Sequence, residues 1–249
     1  MTRLTLPALG LCLALPLPAL ALDLESMSDV ERGLFRAEVR AFLLENPEVI
    51  MEAVAVLEER EKAAKELADV ELVRANLDEL LNDGHSWEGG NPDGDLVLVE
   101  FIDYRCGYCR RAHNEVEQLI EMDGNIRFIV KEFPILGQES ELSSRFAIAT
   151  HQLAGDEAYK SAHDALITFK GQVNDTSLLR IAETLGLEGQ SILDHMQSDA
   201  VTKVIAENHS LAGRLQISGT PSFVMGERML RGYLPLDGMM QIAEAIRAN

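Results

Sequence analysis

Residues 96–110 read Leu96-Val97-Leu98-Val99-Glu100-Phe101-Ile102-Asp103-Tyr104-Arg105-Cys106-Gly107-Tyr108-Cys109-Arg110, and the order of their chemistry decides the fold. The first seven are a near-continuous apolar run of strand length, suited to a central strand buried on both faces. Two cysteines three apart follow. After them Ala112, Val116, Leu119 and Ile120 recur at helical steps to about Glu121, with Gly124 placed to end the helix. Residues 126 to 133 are a second buried strand. Strand–helix–strand predicts a right-handed parallel unit with the cysteine pair on the turn into its helix.

Downstream, residues 138 to 213 are helical by pattern, punctuated by Gly155, Gly171, Gly186 and Gly213, with Asp156 and Asp175 or Thr176 as caps. Gly219-Thr220-Pro221 breaks the chain. Residues 222 to 225 and 229 to 231 are short strands around a Gly226-Glu227 turn. Leu236, Met239, Met240, Ala243 and Ile246 form a last amphipathic helix. The expected class is α/β: a strand–helix–strand core, a helical insert, then a hairpin and a helix.

Upstream, residues 28 to 82 are helical. Ser28 caps a first helix, and Asn46-Pro47 stops it and starts another. In the second, Val49, Val56, Ala63, Val70 and Leu77 recur every seven residues, as in a coiled coil. The companion stripe Ala53, Arg60, Leu67, Arg74, Leu81 is broken by two arginines. Two readings stand side by side: an arm that joins chains, and a helix folded back on its own domain. Asn82-Asp83-Gly84 ends the region, and residues 89 to 94 are a turn cluster. The expected boundary between arm (residues 22–83) and catalytic domain (84–249) falls there.

The chain has 249 residues, 47% of them hydrophobic, enough for a sizeable core and unlike disordered or collagenous chains. Lys and Arg number 22 against 41 Asp and Glu, a net charge of −19. That balance excludes a general nucleic-acid binder, which needs clustered cations. Residues 1–21 read as a secretory leader: Arg3, a leucine-rich run, then Ala19-Leu20-Ala21 before a polar turn. Cys12 follows Leu11 and lacks a lipidation context. Cleavage after Ala21 leaves Cys106 and Cys109 as the two thiols of an exported chain, in an oxidising compartment, most simply the periplasm.

A cysteine at a helix N-terminus lies beside free amides and the positive dipole end, which favours its thiolate. Cys106 is therefore expected to attack, and Cys109, one turn inward and more buried, to resolve the mixed disulfide. Three other readings compete. A disulfide closing so small a loop restrains little of the unfolded chain. Structural zinc needs four ligands, and only His113 is near. Copper(I) binding by the two thiolates survives as an alternative. No resident metal or cofactor is expected beyond the redox-active Cys106–Cys109 pair.

The segment 101–110, the run Lys131-Glu132-Phe133-Pro134-Ile135-Leu136-Gly137 and the loop Gly219-Thr220-Pro221-Ser222-Phe223 together resemble DsbA-family thioredoxin-fold proteins. The helical part before them resembles the N-terminal arms of ScsC-like and Com1-like members, some of which oligomerise. The resemblance implies a thioredoxin fold with a helical insertion and a cis Pro221 beside the cysteines, where the Thr220 backbone pairs with substrate. It implies that Glu100 is the buried acid beneath the pair and Lys131 its charged partner, with two readings open: a relay of a proton to or from Cys109, and an ion pair kept for structure. It implies that Gly107 and Tyr108 tune the potential. Gly-Tyr between the cysteines and Thr before the proline resemble the isomerases and reductases rather than strong oxidases. The partners implied are unfolded or misfolded exported proteins and a membrane redox protein, either a reductase or a quinone-linked oxidase. Residues 28–82 carry the expected homo-oligomer contact. His85, His151, His163, His195 and His209 read as surface or cap residues, Asp164, Glu183 and Asp194 as solvated helix faces, and Met229, Met239 and Met240 as core. Arg105, Arg110 and Arg111 read as positive potential near the thiolate or as surface charge.

Overall fold

The structure, a computed structural model, describes residues 26–248. The leader read at residues 1–21 lies outside the described residues. Two helices come first, α1 (Asp29–Glu45) and α2 (Glu48–Ala75). Ser28 opens α1 with a capping box: its Oγ accepts from the Glu31 amide at 3.3 Å, and the Glu31 carboxylate accepts from the Ser28 amide at 2.8 Å. The chain divides into two compact units between Glu59 and Arg60, inside α2 rather than near residue 83.

In the first unit no α1 residue is buried, and Val30, Leu34, Phe35, Val39, Phe42 and Leu44 are exposed, as are Ile50, Met51, Val54 and Leu57 of α2. The second unit holds the rest of α2. There Val73 is fully buried, Asp69 is paired with Arg231, and the Arg74 guanidinium donates twice to Glu227, at 2.9 and 2.7 Å. The seven-residue stripe is thus not one seam. Its members Val56, Ala63 and Leu77 are exposed, while packing in the second unit uses Val73 and, after a break at Asn76, Leu80 of α3 (Leu77–Leu81).

The sheet of the second unit has five strands: β1 (Trp87–Gly90), β2 (Leu96–Ile102), β3 (Ile126–Glu132), β4 (Ser222–Met225) and β5 (Arg228–Arg231), in the order β1-β3-β2-β4-β5. Between β2 and β3 runs α4 (Gly107–Asp123), closed by Gly124 in the left-handed region at φ 67°. The β2–β3 pair is parallel and all other pairs are antiparallel. Edge strand β1 runs into the stretch whose composition reads as a turn. Two of its four residues are glycine, and Gly90 is required at φ 68°, where a Cβ would lie 2.3 Å from the Ile126 carbonyl oxygen.

The insert comprises α5 (Gln138–Ala154), α6 (Asp156–Thr168), α7 (Asp175–Thr184), α8 (Gly189–His195) and α9 (Asp199–Arg214), and α10 (Leu236–Arg247) closes the domain. Both faces of the sheet are covered. One carries Leu96, Leu98, Ile102, Phe128 and Val130 against Val116 and Leu119 of α4, Phe146 and Tyr159 of the insert, and Met239. The other carries Val99, Phe101, Ile129 and Phe133 against Val73, Leu80 and Leu211. Burial on both faces explains why β2 and β3 read as continuous apolar runs rather than alternating ones. Among the described residues no helix is long and apolar enough to cross a membrane.

Candidate active site

β2 delivers the chain to the turn 103–106, and Asp103 holds that turn. Its carboxylate accepts from the amides of Arg105 at 2.8 Å, Ile135 at 2.8 Å and Leu136 at 3.0 Å, and its carbonyl accepts from the Cys106 amide at 3.0 Å. This residue ties the cysteine turn to the loop after β3, a role that its place in the quoted stretch did not reveal. Cys106 is the N-cap of α4 at φ −72°, ψ 120°, and Cys109 lies one turn in. Both are free thiols in the structure. Cys106 is 7% exposed and Cys109 is completely enclosed.

The two thiols differ in acidity for identifiable reasons. Cys106 is lowered to about 5, first by a hydrogen bond from the Cys109 side chain. Burial opposes this, while the Thr220 side chain and the amides of Cys109 and Tyr108 support it. The protonated Cys106 Sγ donates to the Thr220 carbonyl at 3.1 Å, which favours the thiol. Several donors against one acceptor leave the thiolate ahead. Cys109 is driven well above the ordinary thiol range, by burial first, then by the hydrogen bond it gives Cys106 and by the Glu100 charge. A low-pKa sulfur at the helix end beside a fully enclosed protonated one is the division of labour that thiol–disulfide exchange needs.

The Thr220–Pro221 peptide is cis. Gly107 begins α4 with open space around its Cα, and Tyr108 is 61% exposed. The Tyr108 ring stacks on Tyr233 at 6.3 Å between centroids, the Arg111 guanidinium lies 4.4 Å from the Tyr233 ring centre, and the Tyr233 hydroxyl donates to Glu115 at 2.5 Å. Arg105 pairs with Glu139 at 3.1 Å, and Arg110 donates to the carbonyls of Tyr104 at 2.9 Å and Phe169 at 2.8 Å. These arginines fasten the active-site turn to the insert.

Glu100 lies on β2 on the α4 face, 2% exposed, with Oε1 unpaired among the described residues. Burial raises it to about 8, helped by the charges of Glu117, Cys106 and Glu132. The expected partner is corrected. Glu100 is in register with Val130, whereas Lys131 is opposite Phe101 and so points to the other face of the sheet. There the buried Lys131 Nζ donates to Asp83 at 2.5 Å and to the Glu79 carbonyl at 2.9 Å. Burial lowers Lys131 and Asp83 opposes that. Lys131 joins α3 and the segment after it to the sheet and has no contact with the cysteines. The charged residue that shares Glu100's face is Glu132. Burial raises it to about 7 against the hydroxyls of Tyr159 and Tyr104, which both donate to its Oε1 at 2.7 Å. His163, read as a surface residue, is in fact 2% exposed and meets the Tyr104 hydroxyl with Nδ1 at 3.1 Å.

A two-thiol turn capping the helix of a parallel unit, beside a cis proline, defines a thioredoxin-fold thiol–disulfide oxidoreductase. Residues 97–246 match the DSBA-like thioredoxin domain, and the chain belongs to that family. Residues 31–64 match the copper resistance protein ScsC N-terminal domain. A thioredoxin-like oxidoreductase from Silicibacter pomeroyi is 38% identical, with a TM-score of 0.65 over 69% of this chain and 98% of that one. BcfH of Salmonella enterica Typhimurium is 29% identical, with a TM-score of 0.71 over 86% and 95%. Proteus mirabilis ScsC, in a transitional conformation, is 27% identical, with a TM-score of 0.65 over 90% and 98%. Among curated proteins, the Na(+)/H(+) antiporter NhaA 1 of Salinispora arenicola is 27% identical over 60% of this chain. That match spans only 23% of the antiporter's length.

Proposed function

We propose that the chain is an exported oxidoreductase that reshuffles or reduces disulfides of misfolded proteins, working as a homo-oligomer through its N-terminal helices. The observation that carries the reading is the unburied apolar surface of residues 30–57, from Val30 through Leu57. A second copy of the chain covers such a surface, and linked sites hold a substrate while its disulfides are exchanged. The reaction begins with the Cys106 thiolate attacking a substrate disulfide. One substrate sulfur leaves as thiolate and a mixed disulfide forms. Cys109 then attacks Cys106 Sγ, releasing the second substrate thiol and leaving the Cys106–Cys109 disulfide; in isomerisation a substrate thiol attacks instead and Cys106 is regenerated. In this reading Glu100 takes the Cys109 proton. Exposed Tyr108 and the Thr220 backbone are the expected contacts for an extended substrate. A membrane reductase would restore the dithiol, and a quinone-linked oxidase would instead drive the same pair as a DsbA-like oxidase.

Light scattering with a scrambled-ribonuclease assay tests this. Removing the residues before Arg60 should yield a monomer that still exchanges small disulfides but no longer reshuffles protein. A monomeric full-length chain, or a shortened one that reshuffles equally well, would refute it. A copper-binding role through the same two thiols is the second reading, favoured by the match to a copper-resistance domain. Copper(I) that blocks Cys106 alkylation at one ion per chain, without turnover of scrambled protein, would support that role.

A further inference from the structure

We propose that His113, His163 and Asp164 form a binding site for one borderline first-row divalent cation of the zinc type, which clips the cysteine-bearing helix α4 to helix α6 of the insert. One potential ligand atom from each side chain lies within 4.8 Å of the other two. His113 stands one turn beyond Cys109 on α4, while His163 and Asp164 come from α6. Ligand atoms around a tetrahedral ion with bonds of about 2.0–2.1 Å stand roughly 3.3–3.4 Å apart. His113 Nε2 and Asp164 Oδ1 are already 3.6 Å apart, and side-chain rotation closes the two edges to His163, each within 4.8 Å. Two imidazoles and a carboxylate suit zinc and its neighbours rather than calcium or magnesium.

A second, independent arrangement prepares His163 as a ligand. Tyr104 and Tyr159 both donate to Glu132 Oε1. The single hydroxyl proton of Tyr104 is thereby committed, so its oxygen accepts from His163 Nδ1. His163 then carries its proton on Nδ1 and presents Nε2 with a free lone pair. Ligating histidines are held in the same way, by a hydrogen bond from the other ring nitrogen that leads to a carboxylate. Burial also keeps both rings neutral: His163 is lowered to about 3 and His113 is lowered too, so protons do not compete with the ion near neutral pH.

One group opposes the ion. Lys160 Nζ lies 2.7 and 2.6 Å from the two Asp164 oxygens and 3.4 Å from Glu117. The cation therefore binds in exchange for an ammonium that swings away into solvent, and Glu117, four residues after His113 on the same face of α4, remains to balance its charge. This competition gives a signature that a purely structural cluster would lack: removing the lysine charge should tighten binding.

The test uses the full chain with Cys106 and Cys109 oxidised to their disulfide, so that thiolates cannot bind the metal. Zn2+ is titrated by calorimetry and Co2+ by its visible d–d absorption. One ion per chain is expected. His113→Gln and Asp164→Asn should abolish or severely weaken binding. Tyr104→Phe should weaken it about 10–100-fold. Lys160→Met should strengthen it, and His195→Gln, on a separate helix, should leave it unchanged. Circular dichroism of Asp164→Asn and Lys160→Met, whose side chains are partly exposed, separates lost binding from lost folding. No saturable binding, binding that survives the loss of both His113 and Asp164, or a Lys160→Met chain that binds no better would overturn the site.

Discussion

Replacing Thr220 by valine keeps the shape and β-branching of the side chain and removes one donor to the Cys106 sulfur. The backbone carbonyl that accepts from the thiol stays in place. A hydrogen bond to a charged group is worth about 1.5–3 kcal/mol, and the half-buried setting of Thr220 argues for the lower end. At about 1.4 kcal/mol per pKa unit, Cys106 should rise by about one unit, from about 5 to about 6. The same free energy is lost from the reduced form, so the reduction potential should become more negative by about 30 mV. The sign also fixes a stability window. Cys106 is depressed on folding, so its contribution to the reduced protein is complete above the unfolded thiol value near 9 and disappears as pH falls through about 5. Thr220→Val narrows that window from below. Thiolate absorbance near 240 nm against pH gives the first quantity, and equilibration with glutathione gives the second. A midpoint and a potential both equal to those of the parent chain would mean that the Thr220 side chain does not act on the sulfur.

Cys106→Ser should abolish exchange, whereas Cys109→Ser should accumulate mixed disulfides on non-reducing gels; equal trapping by both would reverse the assigned roles. The rate of resolution should show an inflection near pH 8 from Glu100, and Glu100→Gln should slow the step and remove the inflection, as read by stopped-flow fluorescence. Glu100 and Glu132 are both raised on folding, so their contribution is full below about pH 4.5 and is lost as pH rises through about 7 and 8. Urea midpoints should fall across that range, and less steeply in Glu132→Gln. Lys131→Ala leaves Asp83 without its buried cation and should cost about 3 kcal/mol, since removing one member of a buried pair costs roughly 3–5 and Asp83 keeps its bonds to the amides of His85 and Ser86. Its Cys106 midpoint should not move, and a shift there would restore Lys131 to the thiol site.

What the sequence disclosed and what it withheld follow from how each feature is encoded. The parallel unit, its cysteine turn and the insert are written locally, in an apolar run, a helical period and breakers, and the structure places them within a few residues of expectation. Face is different. Glu100 and Lys131 sit on adjacent strands, but whether they share a face depends on register, and no local pattern carries register when both strands are apolar on both sides. Residues 130 and 132 face Glu100, and 131 does not. Glu132 is one position along from Lys131, and one position on a strand is the opposite face. His163 was hidden because its partner Tyr104 is 59 residues away. The seven-residue stripe failed for a related reason. A period describes a helix as one object, yet α2 does two jobs along its length. Residues up to Glu59 leave their apolar side chains open, while from Arg60 onward the helix belongs to the catalytic unit. Arg74, which spoiled the seam, is spent on Glu227. One polar interruption of the heptad, Arg74, is therefore a contact of the catalytic unit. A cut at residue 83 would remove Val73 and Leu80 from the core along with the arm, whereas a cut before Arg60 takes the arm alone.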